Sequence, residues 1–269
     1  MKPRRYGPRG HTLLELMIAT ALGLMVTAGA VSLYRSQRAA FTRASDSAYI
    51  SEAGFTSLTL IGQQIQMAGF VPPDATSANA APAFFGCSGG RPTGSDDSPA
   101  CTALASRSDG IVIRYVGDNV STWPSAAGQP TDCLGQSVAG VAAGAGTSGV
   151  LVSNRFYASL SSSTGETELY CEGNGRTGYG QPLVQGVEKL RVRYWPAGAA
   201  QAVDASSIKS DQWSKIVAVE LCVLVRGAPL GRRIRYVDCD GVSSLGTDTR
   251  ARQAFWRRVA VRNNEAVAQ

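Results

Sequence analysis

An uncharged apolar run, Leu16 to Tyr34, lies near the start of this chain, and one carboxylate, Glu15, stands immediately before it. The run has 19 residues. As a helix rising about 1.5 Å per residue, it nearly crosses a hydrocarbon core of roughly 30 Å. A carboxylate carried into such a segment costs roughly 2.5–3.5 kcal/mol on insertion scales unless it is paired. Glu15 therefore calls for a partner. Ahead of it lies a short leader, Met1 to Gly10, which carries Lys2, Arg4, Arg5 and Arg9.

Two ordinary readings compete for this segment. A cleaved secretory signal has a basic start and an apolar core, but the core is shorter and its small-residue cut site lies at the far end. Thr27-Ala28-Gly29-Ala30 imitates such a site. A plain membrane anchor is the other. Neither accounts for Gly10 directly before the apolar run, nor for Glu15 five residues further on.

Gly10, Thr12, Leu13, Leu14 and Glu15 together resemble the amino-terminal signature of type IV prepilins and type II secretion pseudopilins. His11 departs from it, since that family usually has Phe there. The resemblance implies that a prepilin peptidase cuts between Gly10 and His11 and that His11 becomes a methylated amino terminus. It also implies that Glu15 pairs with the new α-amino group of a neighbouring subunit. Two charges that are costly in lipid then neutralise each other and fix the axial register of a filament.

The formal charge of +6 belongs largely to the leader, and loss of Lys2, Arg4, Arg5 and Arg9 leaves +2. Those four charges read as a positive-inside signal. A mature form so mildly basic argues against nucleic acid as the main partner. The chain is long enough for one or two domains with a substantial core.

Six cysteines follow the apolar run: Cys87, Cys101, Cys133, Cys171, Cys222 and Cys239. The topology puts them on the exported side, their number is even, and no C-x-x-C pair occurs, so disulfides are expected rather than metal sites. Sequential pairing is expected, Cys87–Cys101, Cys133–Cys171 and Cys222–Cys239. Each bridge contributes on the order of 3 kcal/mol by constraining the unfolded chain.

Beyond Arg35, Arg38 and Arg43, which mark emergence into water, Phe55, Leu58, Ile61, Ile65 and Ala68 recur at three- and four-residue steps. This is one apolar stripe on an amphipathic helix, stopped by Gly69 and by Pro72-Pro73. A single helix from about Thr12 to Ala68 would be roughly 85 Å long. Gly54 and Gly62 argue against its being unbroken. Four segments follow: a leader (1–10), a membrane or filament-core half-helix (11–35), an amphipathic half-helix (36–71) and a periplasmic head (72–269).

In the head, Asp74 to Gly110 reads as a stapled loop region and Ala139 to Gly149 as a glycine-rich loop. Strands are expected at 111–116, 150–157, 167–171, 187–195, 216–225, 233–237 and 255–261. Val217, Val219, Leu221, Val223 and Val225 would share one face, with Glu220 and Cys222 on the other. Lys189, Arg191 and Arg193 would face water together. Strands after one long helix, without βαβ alternation, give an α+β fold with a largely antiparallel sheet.

Three patches of the head sharpen the resemblance: Gln66-Met67-Ala68-Gly69-Phe70; Leu183-Val184-Gln185-Gly186-Val187-Glu188-Lys189-Leu190; and Trp213 to Arg226 together with Phe255 to Asn263. They are similar to the PilW family of type IV pilus minor pilins, in which the last segment is a closing strand ending in an Arg-Asn pair, here Arg262-Asn263. The resemblance implies a pilin-like fold and a structural subunit that primes or caps type IV pili, with motility and adhesion as downstream roles. Its implied partners are other minor pilins, the major pilin, an inner-membrane assembly platform and the prepilin peptidase. Its implied place is the bacterial inner membrane, crossed once with the head in the periplasm, and then the pilus base or tip. A type II secretion minor pseudopilin and a DNA-uptake subunit are the alternatives.

Catalytic residues are not expected. His11 is the only histidine, so the exported region offers no His-based triad or His-ligated zinc. The carboxylate pairs Asp204/Asp211 and Asp238/Asp240 read as solvated turns. Asp238-Cys239-Asp240-Gly241 has a faint calcium-loop look but lacks a bidentate Glu, and no cofactor or metal is expected. Arg226, Arg232, Arg233 and Arg235, with Arg250, Arg252, Arg257 and Arg258, form two basic clusters with Tyr236, Phe255 and Trp256 among them. These read as a solvated sheet face or a surface that meets an acidic neighbour, or else as a DNA-binding patch.

Overall fold

The computed structural model describes residues 10–72, 82–118, 124–139 and 149–263. The leader before Gly10, Pro73 and most of the glycine-rich stretch after Ala139 lie outside them. One helix, α1 (Leu13–Met67), runs unbroken through Gly54 and Gly62. The chain divides into two units between Ala48 and Tyr49.

In the first unit nearly every side chain of α1 is exposed. Thr12 starts the helix: its Oγ1 accepts from the Glu15 N–H at 3.3 Å and its carbonyl from the Leu16 N–H at 3.2 Å. Within the apolar run, Thr20 Oγ1 donates to the Met17 carbonyl (3.0 Å) and Thr27 Oγ1 to that of Gly23 (2.9 Å). These hydroxyls are thus satisfied inside the helix, as an apolar surrounding demands.

In the second unit α1 buries Ile50, Ala53, Leu58, Ile61, Ile65 and, just past its end, Ala68. Phe55, placed by its spacing in this stripe, is instead 63% exposed. At 100° per residue it sits well round the helix from the line through Leu58, Ile61 and Ile65. Its ring still meets Phe255 edge-to-face, with centroids 5.4 Å apart.

Thirteen strands follow among the described residues: β1 (Phe84–Cys87), β2 (Gly90–Gly94), β3 (Pro99–Ala103), β4 (Gly110–Gly117), β5 (Val150–Leu160), β6 (Thr167–Gly173), β7 (Gln181–Gln185), β8 (Val187–Pro196), β9 (Val203–Asp204), β10 (Ile216–Pro229), β11 (Arg235–Val237), β12 (Ser243–Leu245) and β13 (Arg250–Ala260). They form a five-stranded sheet ordered β1-β4-β5-β6-β7, a four-stranded sheet ordered β13-β10-β8-β9, and two ribbons, β2-β3 and β11-β12. Every pairing is antiparallel. The fold is α+β, one long helix followed by antiparallel sheets.

The stretch before Gly110, expected as a loop, contains β1, β2 and β3. Their sequences, such as GRPTG and PACTA, hold glycine and proline that weaken any strand signal. The cysteines bridge in chain order: Cys87–Cys101, Cys133–Cys171 and Cys222–Cys239. The first joins β1 to β3.

The central strand of the second sheet is β10, with Val219, Leu221, Val223 and Val225 fully buried on its inner face. They share one core with Ile61 and Ile65 of α1, Leu190, Val192 and Tyr194 of β8, and Phe84, Ile111, Phe156 and Leu169 of the first sheet. Val217 was expected on this face but is only partly buried. A register irregularity against β8 between Ile216 and Ala218 puts Ile216 in the core instead. Cys222 and Leu224 point the other way, into a smaller cluster with Cys239, Ala254 and Tyr236.

Candidate functional site

Three groups of residues carry the sequence-based expectations. The first is the start of α1. His11 Nδ1 lies 3.3 Å from Glu15 Oε2, one helical turn apart, and both side chains are exposed. Behind them an 18-residue window of α1 has mean hydropathy 2.0 and no buried residue. Leu13, Leu24, Met25 and Val26 are each more than 70% exposed. So much uncovered apolar surface fits lipid or other apolar helices, not water.

The second group closes the helix. Gly69 adopts φ +72°, a conformation that favours glycine. Its N–H donates to the Arg114 carbonyl of β4 at 2.9 Å, and the Val116 N–H donates to the Phe70 carbonyl at 2.8 Å. Asn263, the second member of the Arg-Asn pair, donates its side-chain amide to the carbonyls of Gln66 (3.2 Å) and Ala68 (3.4 Å). Two sequence patches almost two hundred residues apart therefore make one junction, with Asn263 satisfying carbonyls that the helix end leaves unpaired.

The third group is the arginines, and here the expectation of free basic clusters fails. Arg226 and Arg250 both reach Glu166, at 2.7 and 2.9 Å. Arg252 is buried between Glu188 (2.7 Å) and Asp248 (2.6 Å), with its guanidinium over the Tyr236 ring. Phe255 is a core residue, and Arg258 lies 3.9 Å from the centre of the Trp195 ring. Lys189, Arg191 and Arg193 do not simply face water either. Arg191 binds Asp109, Asp204 and Asp240 at 2.9–3.0 Å, Lys189 binds Asp240 at 3.1 Å, and Arg193 lies 3.8 Å from Asp204. Arg232, Arg233 and Arg235 remain on the exposed segment leading into β11.

These pairings set the carboxylates. Arg252 holds Asp248 down to about 2, helped by the Arg250 N–H and opposed by slight burial. Burial raises Glu166, but the hydrogen bonds and charges of Arg226 and Arg250 outweigh it and lower the carboxyl. The same opposition, with Lys189 and Arg191 as partners, lowers Asp240. The acidic partners Asp109, Glu166 and Glu188 were missed from sequence because they lie 60 to 84 residues from their arginines.

The calcium-loop appearance of Asp238 and Asp240 also has another use. Asp238 Oδ1 accepts the N–H groups of Asp240 and Val242, each at 2.9 Å, and Asp240 is engaged by Lys189 and Arg191. Among the described residues no group of three or more His, Cys, Asp or Glu side chains is placed to hold a metal ion.

From β5 to that capping asparagine, residues 155–263 match the family model of the type IV pilus-assembly protein W. Over these residues, which are less than half of the chain, the protein is similar to the PilW family. The matched region comprises the whole second sheet, the Glu166 ion-pair network, the Arg191 network apart from Asp109, and the Cys222–Cys239 bridge. Among solved structures, a type IV-like pilin from Thermus thermophilus is similar at a TM-score of 0.41 and 14% identity, covering 77% of this chain and 93% of that one. No curated protein matches the chain.

Proposed function

We propose that this protein is a structural minor pilin, inserted once in the bacterial inner membrane with its head in the periplasm and cleaved between Gly10 and His11. It assembles with other minor pilins and the major pilin to prime or cap a type IV pilus. The apolar half of α1 supplies the assembly surface. Glu15 supplies register by pairing with the α-amino group of a neighbouring subunit, and its contact with His11 keeps the carboxylate partnered before that pairing. The PilW region supplies a rigid, disulfide-bonded head.

The observation that carries this reading is a single helix with two different faces of use. Residues 50–65 of α1 are core elements of a head that ends in a PilW sequence, while residues 13–34 leave their apolar side chains uncovered. The test is intact-mass and amino-terminal analysis of the protein from its own membranes, with and without an active prepilin peptidase. A chain beginning at His11 and one methyl heavier is expected. A chain beginning at Met1 in both strains, or one cut after Ala30, would overturn the proposal.

A further inference from the structure

The β11-β12 ribbon is tied to the second sheet through its turn and through Tyr236. Cys239 is bridged to Cys222 of β10, Asp240 is held by Lys189 and Arg191 of β8, and Tyr236 packs into the cluster below and against Arg252 of β13. The ribbon register pairs Arg235 with Leu245, Tyr236 with Ser244 and Val237 with Ser243. Because side chains alternate along a strand, Arg235, Val237 and Leu245 share the face opposite Tyr236. None of the anchoring groups just named lies on that outer face, yet it carries aliphatic side chains: Val237 and Leu245 are 48 and 51% exposed. Three exposed arginines, Arg232, Arg233 and Arg235, stand on or beside it. The two carboxylates of the turn do not balance them: Asp240 is turned to Lys189 and Arg191, and Asp238, whose Oδ1 accepts two backbone N–H groups, is one charge against three.

We propose that the outer face of this ribbon is a docking surface for an acidic protein partner with an apolar centre. The inference does not depend on the fate of the amino terminus, because the ribbon lies in the head. Charge complementarity selects the sign of the partner. The side-chain types select its class: aliphatic residues with arginine suit the core and rim of a protein interface. A nucleic-acid platform would instead present aromatic rings for base stacking, and the one aromatic of the ribbon, Tyr236, faces inward. A disulfide and a charged tether already hold the surface in shape, which lowers the ordering cost of binding.

The test is photocrosslinking from the full chain in its own membranes, with a benzophenone amino acid replacing Val237 or Leu245 and a control at Leu160, exposed elsewhere on the head. A discrete protein adduct is expected at the ribbon positions and not at Leu160, with a crosslinked partner peptide richer in Asp and Glu than in Lys and Arg. The triple variant R232E/R233E/R235E should lower adduct yield by roughly tenfold, while R232K/R233K/R235K keeps it. Non-reducing peptide mass verifies that Cys222–Cys239 still forms in both. If the Glu variant fails to form it, added salt on the wild-type chain takes its place and should weaken the adduct to a similar degree. No ribbon-specific adduct, a nuclease-sensitive one, a basic partner peptide, or a yield indifferent to charge and salt would each overturn the proposal. Membranes in which the chain starts at His11 but gives no adduct sink this inference alone; a chain still starting at Met1 sinks the pilin reading and leaves the ribbon to be judged on its own adducts.

Discussion

The ring of Phe255 fills the space that a β-carbon on Gly54 would occupy. Phe255 is a buried residue of β13, and Gly54 lies on the buried side of α1. The glycine that argued from sequence against a continuous helix is thus the position at which the helix admits an aromatic ring from the sheet. Gly62, two turns on, is different. A β-carbon there would make only ordinary contact, 3.4 Å from the flexible end of Arg257.

The two glycines should therefore respond with opposite signs to alanine. In a helix interior, alanine gains roughly 0.5–1 kcal/mol over glycine. At Gly54 overpacking against Phe255 costs about 1–3 kcal/mol and wins. Gly54→Ala should lower the urea midpoint of the detergent-solubilised chain, whereas Gly62→Ala should leave it unchanged or raise it. Equal shifts in the same direction would refute this account of the helix–sheet contact.

The junction of Gly69 with Asn263 gives a second test. A β-carbon on Gly69 would lie 2.8 Å from the Asn263 carbonyl oxygen, and its φ of +72° is unfavourable to side chains. Gly69→Ala should cost about 1–3 kcal/mol. Asn263→Ala removes only the amide donors to Gln66 and Ala68 and should cost about 1 kcal/mol. Because both act on one junction, the double variant should fall short of the sum, which a double-mutant cycle on unfolding free energies measures.

Much of this architecture was legible locally. The helix limits, Thr12–Ala68 from sequence and Leu13–Met67 in the structure, follow from a capping threonine and from Gly69, both encoded within a few residues. Strands such as β4, β5 and β10 announce themselves through runs of β-branched residues. What stayed hidden depends on distant pairing. Nothing near Arg250 points to Glu166, 84 residues away, so a neutralised network reads as a basic patch. The β2-β3 ribbon is held by Cys87–Cys101 and carries little strand propensity of its own. At the amino terminus the opposite holds, since His11 and Glu15 are only four residues apart, on either side of the helix start.

Loss of the Cys222–Cys239 bridge should act on the ribbon before the sheet. The bridge closes a loop of 17 residues, for which the chain-entropy estimate is about 3 kcal/mol. Replacing both cysteines by alanine should lower global stability by up to that amount. In hydrogen exchange, the Gly246 N–H, which donates to Ile234, should lose protection, while the inner-face residues of β10 keep theirs. Uniform loss across β10 would mean that the bridge supports the core rather than the ribbon.

Acid should destabilise the head in a way that Arg252 controls. Asp248, held by Arg252, titrates at about 2 in the folded chain, and Glu166 and Asp240 are lowered by their own basic partners. In the unfolded chain such carboxylates titrate near 4. Between these values the unfolded state binds more protons, so stability rises with pH. The contribution is therefore complete above about pH 5 and is lost as the pH falls toward 2. Arg252→Gln returns Asp248 toward its ordinary range, so the variant should be less stable at pH 7 and should lose stability less steeply between pH 4 and 2. The difference in slope corresponds to about one proton fewer taken up on unfolding. Urea midpoints at intervals from pH 7 to 2, on wild type and variant, measure it; parallel curves would show that the Arg252–Asp248 pair contributes nothing to acid stability.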